Sequence, residues 1–371
     1  MIRIAFTGGG SGGHIFPIIA VARKLREIEK TEGKEIEFIY IGETGAYEEL
    51  LKKEGFRVLK IAASKLRRYF DIENFIDFLK FPIGVFQAFL HLFTYMPDIL
   101  FSKGGPGSFQ VVSAAWLLRI PIIIHESDSV PGKANLLSSK FANRIGVAFA
   151  GAKQYFPEKI TALTGNPTRI DSTDYTLAKE ELEKLDLNPQ KPYILILGGS
   201  QGAEKINSIV LATLPQLLKF TQVIHQTGAA HEKALKALAV EIISGIQGYK
   251  IFGFIEEPLL YKLLSGAQII ISRAGAGSIF EIAAFGKPSI LIPIEESAND
   301  HQRRNAQEYS VAGACKIIEE PNLTPNLFMS VVKHIIEDQK IREAMQKSAL
   351  AFAKPQAAEI IAKEIMLFAR E

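Results

Sequence analysis

The sequence predicts an α/β protein of two parallel-sheet domains, each wound like a nucleotide-binding fold and facing the other across a cleft. Three observations carry this prediction. Near the start, the apolar run Ile2-Arg3-Ile4-Ala5-Phe6 breaks into Thr7-Gly8-Gly9-Gly10-Ser11-Gly12-Gly13-His14, and a helix-like segment follows from Pro17. About halfway along, Tyr193-Ile194-Leu195-Ile196-Leu197 breaks into Gly198-Gly199-Ser200-Gln201-Gly202-Ala203, again followed by a helix-like segment. Between and after these, short runs rich in Ile, Val and Phe alternate with helical patterns. A buried strand, a glycine-rich turn and a helix N-terminus gather backbone N–H groups and a positive dipole end at one point, which suits a phosphate. One such loop is often an ordinary tight turn. Its repetition at the strand-to-helix joint, where open parallel sheets bind ligands, points to two ligand-binding halves.

In the first half the strand candidates are residues 2–6, 36–41, 99–101, 122–124 and 145–149; in the second they are 193–197, 223–225, 250–254, 269–271 and 289–292. Continuous rather than alternating apolar character predicts strands covered on both faces. Strands alternating with helices predict βαβ units with right-handed crossovers. Gly165-Asn166-Pro167 closes the first half, and the polar stretch 171–190 holds the connection. The predicted domains are 1–164 with a returning 352–371, and 165–351. After Ile318 the chain reads helical almost to its end. Pro355 breaks that pattern before a last segment that crosses back to the first domain.

The chain has 371 residues, long for one domain and comfortable for two. Its 47% apolar and 22% charged composition is that of a globular protein. A net charge of only +3 gives no argument for nucleic acid as partner. The single cysteine, Cys315, excludes an internal disulfide and fits a reducing compartment. The first apolar run is too short for a signal peptide, and no run of about 20 apolar residues exists to span a bilayer. A cytoplasmic protein is expected.

Several polar groups sit at predicted strand ends. His14 is either a helix-start histidine bonded to backbone or a base over the cleft, since imidazole accepts protons near neutral pH. Residues 102–108 (SKGGPGS) form a third glycine-rich loop, and His125-Glu126-Ser127-Asp128 ends another strand, with Asn135 in the next helix. In the second half, Arg273-Ala274-Gly275-Ala276-Gly277-Ser278-Ile279-Phe280-Glu281 offers two readings. Ser278 and Glu281 make a capping box, or Glu281 accepts hydrogen bonds from a ribose diol. Metal ligation finds no support, with no His-x-x-x-His, Asp-x-Asp or clustered cysteines. A Ser-His-Asp hydrolase is disfavoured by the lack of a G-x-S-x-G elbow.

Taken together, residues 7–17 (TGGGSGGHIFP), 103–108, His125-Glu126, Gly165-Asn166-Pro167, 198–203 with Asn207, 273–281, and Gln302 with Asn305-Ala306 resemble, in order, the MurG family of bacterial peptidoglycan N-acetylglucosaminyltransferases. The resemblance spans nearly the whole chain. It implies a GT-B fold of two Rossmann-like domains, a donor nucleotide held mainly by the second, and peripheral work at an anionic membrane surface on the cytoplasmic face. It implies transfer of GlcNAc from UDP-GlcNAc to the C4 hydroxyl of lipid I, giving lipid II, with no cofactor. On the donor side it points to Ser11, Gly12, Gly13, Asp128, Arg169, Ser200, Ile255, Ala276, Gly277, Ser278, Ile279, Phe280, Glu281 and Gln302. Within that set Ile255 reads uracil through its backbone, Glu281 meets the ribose, and Gln302 meets the sugar hydroxyls. On the acceptor side it points to Gly104, Gly105, His125 and Asn135, with His14 as catalytic base and Glu126 as second candidate. Two departures stand out. The family commonly has HEQN where this chain has His125-Glu126-Ser127-Asp128, and Pro106 replaces a common aromatic.

Related readings are a glycolipid synthase moving a sugar onto diacylglycerol and a UDP-GlcNAc 2-epimerase. From the first loop alone, an NAD-dependent dehydrogenase is a further reading. Residues 75–93 (FIDFLKFPIGVFQAFLHLF) contain six phenylalanines. Asp77, Lys80 and His91 interrupt the segment and Pro82 is expected to break its helix, so it does not span a bilayer. It forms either a buried helix pair or, with Lys65, Arg67, Arg68 and Lys80, a docking face for anionic lipid.

Overall fold

The computed structural model describes residues 1–64, 72–170, 175–199, 202–243, 245, 247–297 and 300–369, with backbone alone at 72–79 and 243. The chain divides into two units. One comprises Met1–Arg169 with Lys354–Glu371, and the other Ile170–Ala353.

Among the described residues, the first unit is built on β1 (Ile2–Thr7), β2 (Ile36–Ile41), β3 (Phe56–Leu59), β4 (Ile99–Ser102), β5 (Ile122–Glu126), β6 (Arg144–Val147) and β7 (Thr161–Leu163). They form one parallel sheet in the order β3-β2-β1-β4-β5-β6-β7. Its helices are α1 (Gly12–Glu32), α2 (Glu48–Lys53), α3 (Ile72–Tyr95), α4 (Ser108–Leu117) and α5 (Lys133–Ser138). The second unit has β8 (Tyr193–Leu197), β9 (Gln222–Gln226), β10 (Tyr249–Phe252), β11 (Ile269–Ser272), β12 (Ser289–Leu291) and β13 (Cys315–Ile317). This sheet is also parallel, in the order β10-β9-β8-β11-β12-β13. Its helices are α6 (Lys179–Lys184), α7 (Glu204–Leu217), α8 (Glu232–Ile243), α9 (Leu259–Gly266), α10 (Ala276–Ala284), α11 (His301–Val311), α12 (Pro325–Glu337) and α13 (Gln339–Phe352). A last helix, α14 (Ala357–Phe368), belongs to the first unit.

The central strands are buried along their length, as continuous apolar runs require. Strand order reverses between β1 and β4, where Thr7 pairs with Ser102. It reverses again between β8 and β11, where Leu197 pairs with Ser272. Sites in such sheets form at these points. On one face of the first sheet, α1 and α14 share a core: Ile15, Ile18 and Ile19 meet Ile361, Ala362 and Ile365 around Phe6, Phe38 and Phe101. Arg144 bonds Glu364 at 3.0 Å beside it. The second unit gathers Ile194, Ile196, Val210, Leu214, Ile271, Phe328 and Val332 in one cluster.

The structure corrects three local expectations. α1 starts at Gly12, inside the glycine run, and Pro17 lies within it. Proline there forfeits only the bond that its nitrogen would have donated back to Gly13. α3 is continuous across Pro82. Beside that proline, Gln110 Nε2 donates to the carbonyls of Lys80 and Phe81, both at 3.1 Å. The Ser278–Glu281 capping box does not form, because α10 begins earlier and Gly275 occupies its N-cap. Three strands escaped the apolar pattern, β3, β7 and β13, and all are sheet edges.

Candidate functional site

Two loops leave the first sheet at the reversal. Ser11 is the N-cap of α1 by backbone geometry (φ −100°, ψ 157°), yet its hydroxyl does not cap the helix. It lies 2.8 Å from His14 Nδ1 instead. The loop after β4 closes over the same point. Gly104 and Gly105 take φ values of +79° and +88°, which glycine adopts without penalty. Each also permits close approach. A Cβ on Gly105 would stand 2.8 Å from His14 Nε2, and one on Gly104 would stand 2.6 Å from Asn135 Oδ1. Gly12 sits against the rings of Phe16 and Tyr47, and Gly13 opens the first helical turn. Arg169 stacks its guanidinium on Phe16, 3.8 Å from the ring centroid.

His14 is partly exposed. Lost hydration, then the neighbouring Lys103, push its imidazole down to about 4, against the opposing pull of Asp128. It is neutral at neutral pH. With its proton on Nδ1 and donated to Ser11 Oγ, Nε2 keeps a lone pair for an incoming proton.

His125 is wholly buried. Its Nδ1 lies 2.8 Å from Lys103 Nζ and its Nε2 2.9 Å from the Gly165 carbonyl. An ammonium can only donate, so Nδ1 accepts and Nε2–H donates to Gly165. Burial, then Lys103, hold the ring well below its ordinary value. With both nitrogens engaged beneath the surface, His125 positions its neighbours and is not placed to touch a ligand. Glu126 is 4% exposed. Its Oε1 accepts from Asp128 N at 2.9 Å, and its Oε2 from Gly132 N at 3.2 Å and Asn135 Nδ2 at 2.9 Å. Burial and Asp128 push its carboxyl up, while these hydrogen bonds and Lys103 pull it down. Glu126 therefore shapes the turn 126–132. Asn135 also donates to the His125 carbonyl at 3.2 Å, and its Oδ1 finds no partner among the described residues.

Lys103 was given no role on sequence grounds. It is 2% exposed and also donates to Ser127 Oγ and, at 3.5 Å, to Asn166 Oδ1. Ser127 Oγ in turn donates to Asn166 Oδ1 at 2.8 Å. The available signal was a lysine set directly after a buried strand and inside a glycine loop.

In the second unit the loop after β8 includes Ser200, which lies outside the described residues. Gly202 (φ +84°) closes on the Thr227 carbonyl, where a Cβ would come within 2.3 Å. Asn207 Nδ2 donates to the same carbonyl at 3.1 Å, and Asn207 Oδ1 finds no partner among the described residues. Ile255 is buried, and its N–H is taken by Gln226 Oε1 at 2.9 Å. Any backbone reading of a ligand there falls to its carbonyl. Gly275 and Gly277 face open space, and the first-turn N–H groups of α10 at Ala276, Gly277 and Ser278 have no earlier helical carbonyl to bond. Ile279 and Phe280 are core residues. Tyr261 donates to Glu281 Oε1 at 3.3 Å. Gln302 Oε1 accepts from Ile294 N at 3.2 Å, at the start of α11.

The first unit thus brings Ser11, His14, Gly104, Gly105, Glu126, Asp128 and Asn135 to one corner. The second groups Ile255, Gln302 and the residues of α10 around its own sheet end. Among the described residues no three His, Cys, Asp or Glu side chains are arranged to hold a metal ion.

Residues 4–147 match the Glycosyltransferase family 28 N-terminal domain, and residues 193–361 match the Glycosyltransferase family 28 C-terminal domain. A protein of Legionella pneumophila named UDP-N-acetylglucosamine--N-acetylmuramyl-(pentapeptide) pyrophosphoryl-undecaprenol N-acetylglucosamine transferase is 37% identical over 355 residues, 93% of each chain. A Bacillus cereus protein of the same name, numbered 2, is 36% identical over 94% of this chain and 95% of its own. The chain belongs to the MurG family. The crystal structure of Acinetobacter baumannii MurG superposes with a TM-score of 0.77 at 25% identity, covering 99% of this chain and 100% of that one. The two Rossmann-like units are those of the GT-B fold of MurG enzymes. A UDP-GlcNAc 2-epimerase from Neisseria meningitidis shares the fold, with a TM-score of 0.67 at 16% identity.

The buried histidines make stability depend on acid. His125 and His225 are wholly buried, and burial pushes His225 down to about 3. Below the ordinary histidine value of 6.5 the unfolded chain takes up these protons and the folded chain does not, so acid favours unfolding. Glu126, whose carboxyl is held up, works in the opposite direction between its folded value and the ordinary carboxylate range. His14, held down to about 4, adds to the two buried histidines, and three histidines against one carboxyl leave a net loss of about 2.7 kcal/mol per pH unit between roughly pH 6 and 4.5. Urea unfolding at a series of pH values should show the midpoint falling across this window; a flat or rising midpoint would contradict it.

Proposed function

We propose that the protein is an inverting glycosyltransferase moving GlcNAc from UDP-GlcNAc to the C4 hydroxyl of undecaprenyl-diphospho-MurNAc-pentapeptide (lipid I), giving lipid II. The observation that carries this reading is the 36–37% identity, through both units, to enzymes whose names state that donor and that acceptor. Donor binding falls to the second unit. The N–H groups at the start of α10 lack helical partners and suit a diphosphate. The Ile255 carbonyl suits the N3–H donor of uracil, and Glu281 suits a ribose diol. Ser11, Gly12, Gly13, Asp128 and Arg169 of the first unit complete the proposed donor contacts, with Ser200 and Gln302 from the second.

The acceptor hydroxyl attacks the anomeric carbon from the face opposite UDP. His14 Nε2 takes the hydroxyl proton, and Ser11 orients the ring. Glu126 is the weaker candidate because its oxygens already accept three hydrogen bonds. Gly104, Gly105 and Asn135 shape the acceptor side. Incubation with labelled UDP-GlcNAc and a short-chain lipid I analogue tests the reading: the disaccharide lipid is expected, and its absence with sugar passed to diacylglycerol, or epimerised, would replace it.

The acceptor is a membrane lipid, so the protein works at the cytoplasmic face of the bilayer as a peripheral enzyme. No described helix is long and apolar enough to cross a membrane. α3 presents Ile83, Phe86, Leu90 and Phe93 at helical spacing, with Phe86 63% exposed. Its opposite face buries Ala88 and Leu92. This outward stripe is the proposed docking face. Lys65, Arg67 and Arg68, expected to meet head groups, lie outside the described residues.

His14→Ala should lower kcat by roughly 10²–10⁴-fold while UDP affinity stays intact. A variant retaining most of its turnover would remove His14 from the base role. Glu281→Ala should weaken UDP binding by about 1.5–3 kcal/mol in calorimetry, the cost of losing a charged hydrogen bond. Unchanged affinity would leave Glu281 a structural residue. In vesicle co-sedimentation, binding should rise with anionic lipid, and Phe86→Ser with Phe93→Ser should reduce it without loss of UDP binding. Sedimentation indifferent to those substitutions would return α3 to ordinary surface.

A further inference from the structure

A buried lysine stands at the centre of the first unit's polar corner, and the reaction scheme above gives it nothing to do. Lys103 follows β4 directly, and its backbone N–H extends the ladder by donating to Thr7 O at 2.9 Å. Its ammonium sends its three protons to three acceptors: His125 Nδ1 at 2.8 Å, Ser127 Oγ, and Asn166 Oδ1 at 3.5 Å. These lie at the end of β5, in the turn after it, and in the turn after β7. The charged groups that act on this corner are Glu126 and Asp128, both attracting the ammonium. The two imidazoles, His14 and His125, are held neutral beside it.

We propose that Lys103 is a positioning residue of the transfer reaction: its buried ammonium is the counter-charge to the Glu126 and Asp128 carboxylates and ties the turns that carry them to the sheet. The inference rests on the reaction proposed above. Burying an ammonium is costly unless its protons are bonded and opposite charge lies near, and this one has three acceptors and the attraction of two carboxylates. Two carboxylates, one of them buried, act on this corner, and Lys103 is placed to supply the opposing charge. The same charge keeps His14 from holding a proton before the acceptor delivers one.

The test compares Lys103→Met, Asp128→Asn and the double variant by two readouts. The first is kcat/KM for the lipid I analogue against pH. Without the ammonium, Glu126 and His14 both bind protons more readily, so the acid limb should move up by about one pH unit, a tenfold loss on that limb. Asp128→Asn in the same background removes the matching anion and should move the limb back at least halfway. On its own, Asp128→Asn should move the limb to lower pH, which reads the same charge if Lys103→Met fails to fold. The second readout is the His14 titration by NMR, which needs no substrate. Its midpoint should rise in Lys103→Met and fall in Asp128→Asn. Limbs that superimpose on the wild type, or a double variant worse than Lys103→Met, would reduce Lys103 to a structural role and overturn the proposal. A wild-type protein that moves no GlcNAc to lipid I, with the His14 midpoints shifted as stated, would defeat the proposed reaction and leave the counter-charge standing.

Discussion

A parallel sheet in which strand order reverses must send the helices on the two sides of the reversal to opposite faces. β1 lies between β2 and β4, and β8 between β9 and β11. Right-handed crossovers send the connections on either side of such a strand to opposite faces of the sheet. The helices after β1 and β4 therefore lie on opposite faces, while the loops that lead into them meet over the strand ends, where a Cβ on Gly105 would stand 2.8 Å from Gly9 N. Each reversal is floored by strand ends and walled by helix N-termini whose first N–H groups lack helical partners. The glycines, the cap at Ser11 and the turn at Gly104-Gly105 all answer to this one geometric condition.

The two units line the same strand-order reversal with different groups. In the second, the residues around it are small or apolar, and Gly275 and Gly277 leave open space over the start of α10. Backbone N–H groups and a helix dipole dominate, which suits a fixed diphosphate charge that undergoes no proton transfer there. In the first unit, two imidazoles, two carboxylates and one ammonium crowd the corner. Their charges are balanced against one another and their hydrogen bonds are mostly internal. Such a cluster holds protonation states apart, which proton transfer to or from a hydroxyl requires.

Much of this was legible in the sequence, for identifiable reasons. Most strands with neighbours on both sides carry a run of apolar residues long enough to stand out, as β4, β5, β8 and β11 do. Edge strands pair on one side only and tolerate polar residues, so β3 with Arg57, β7 with Thr161 and β13 with Lys316 did not stand out. The continuity of α3 through Pro82 was hidden because a proline inside a helical pattern ordinarily ends or kinks it. The start of α1 was misplaced because glycine in a helical first turn leaves no propensity signal.

By itself, the sequence determined two doubly wound units and the positions of their glycine loops, which follow from local periodicity and turn chemistry that neighbouring residues encode. The grouping of His14, Glu126 and Asn135 into one polar set was what the family resemblance implied. Only the tertiary structure decided what each polar group does. His125 became an internal strut, Glu126 the anchor of its own turn, and Lys103 the cation between them. Such roles depend on burial and on which strand ends adjoin, and a sheet brings together residues far apart in the chain, 63 positions in the case of Lys103 and Asn166. The cost of burying a charge is set by that assembled environment, not by the residues on either side of it in the chain.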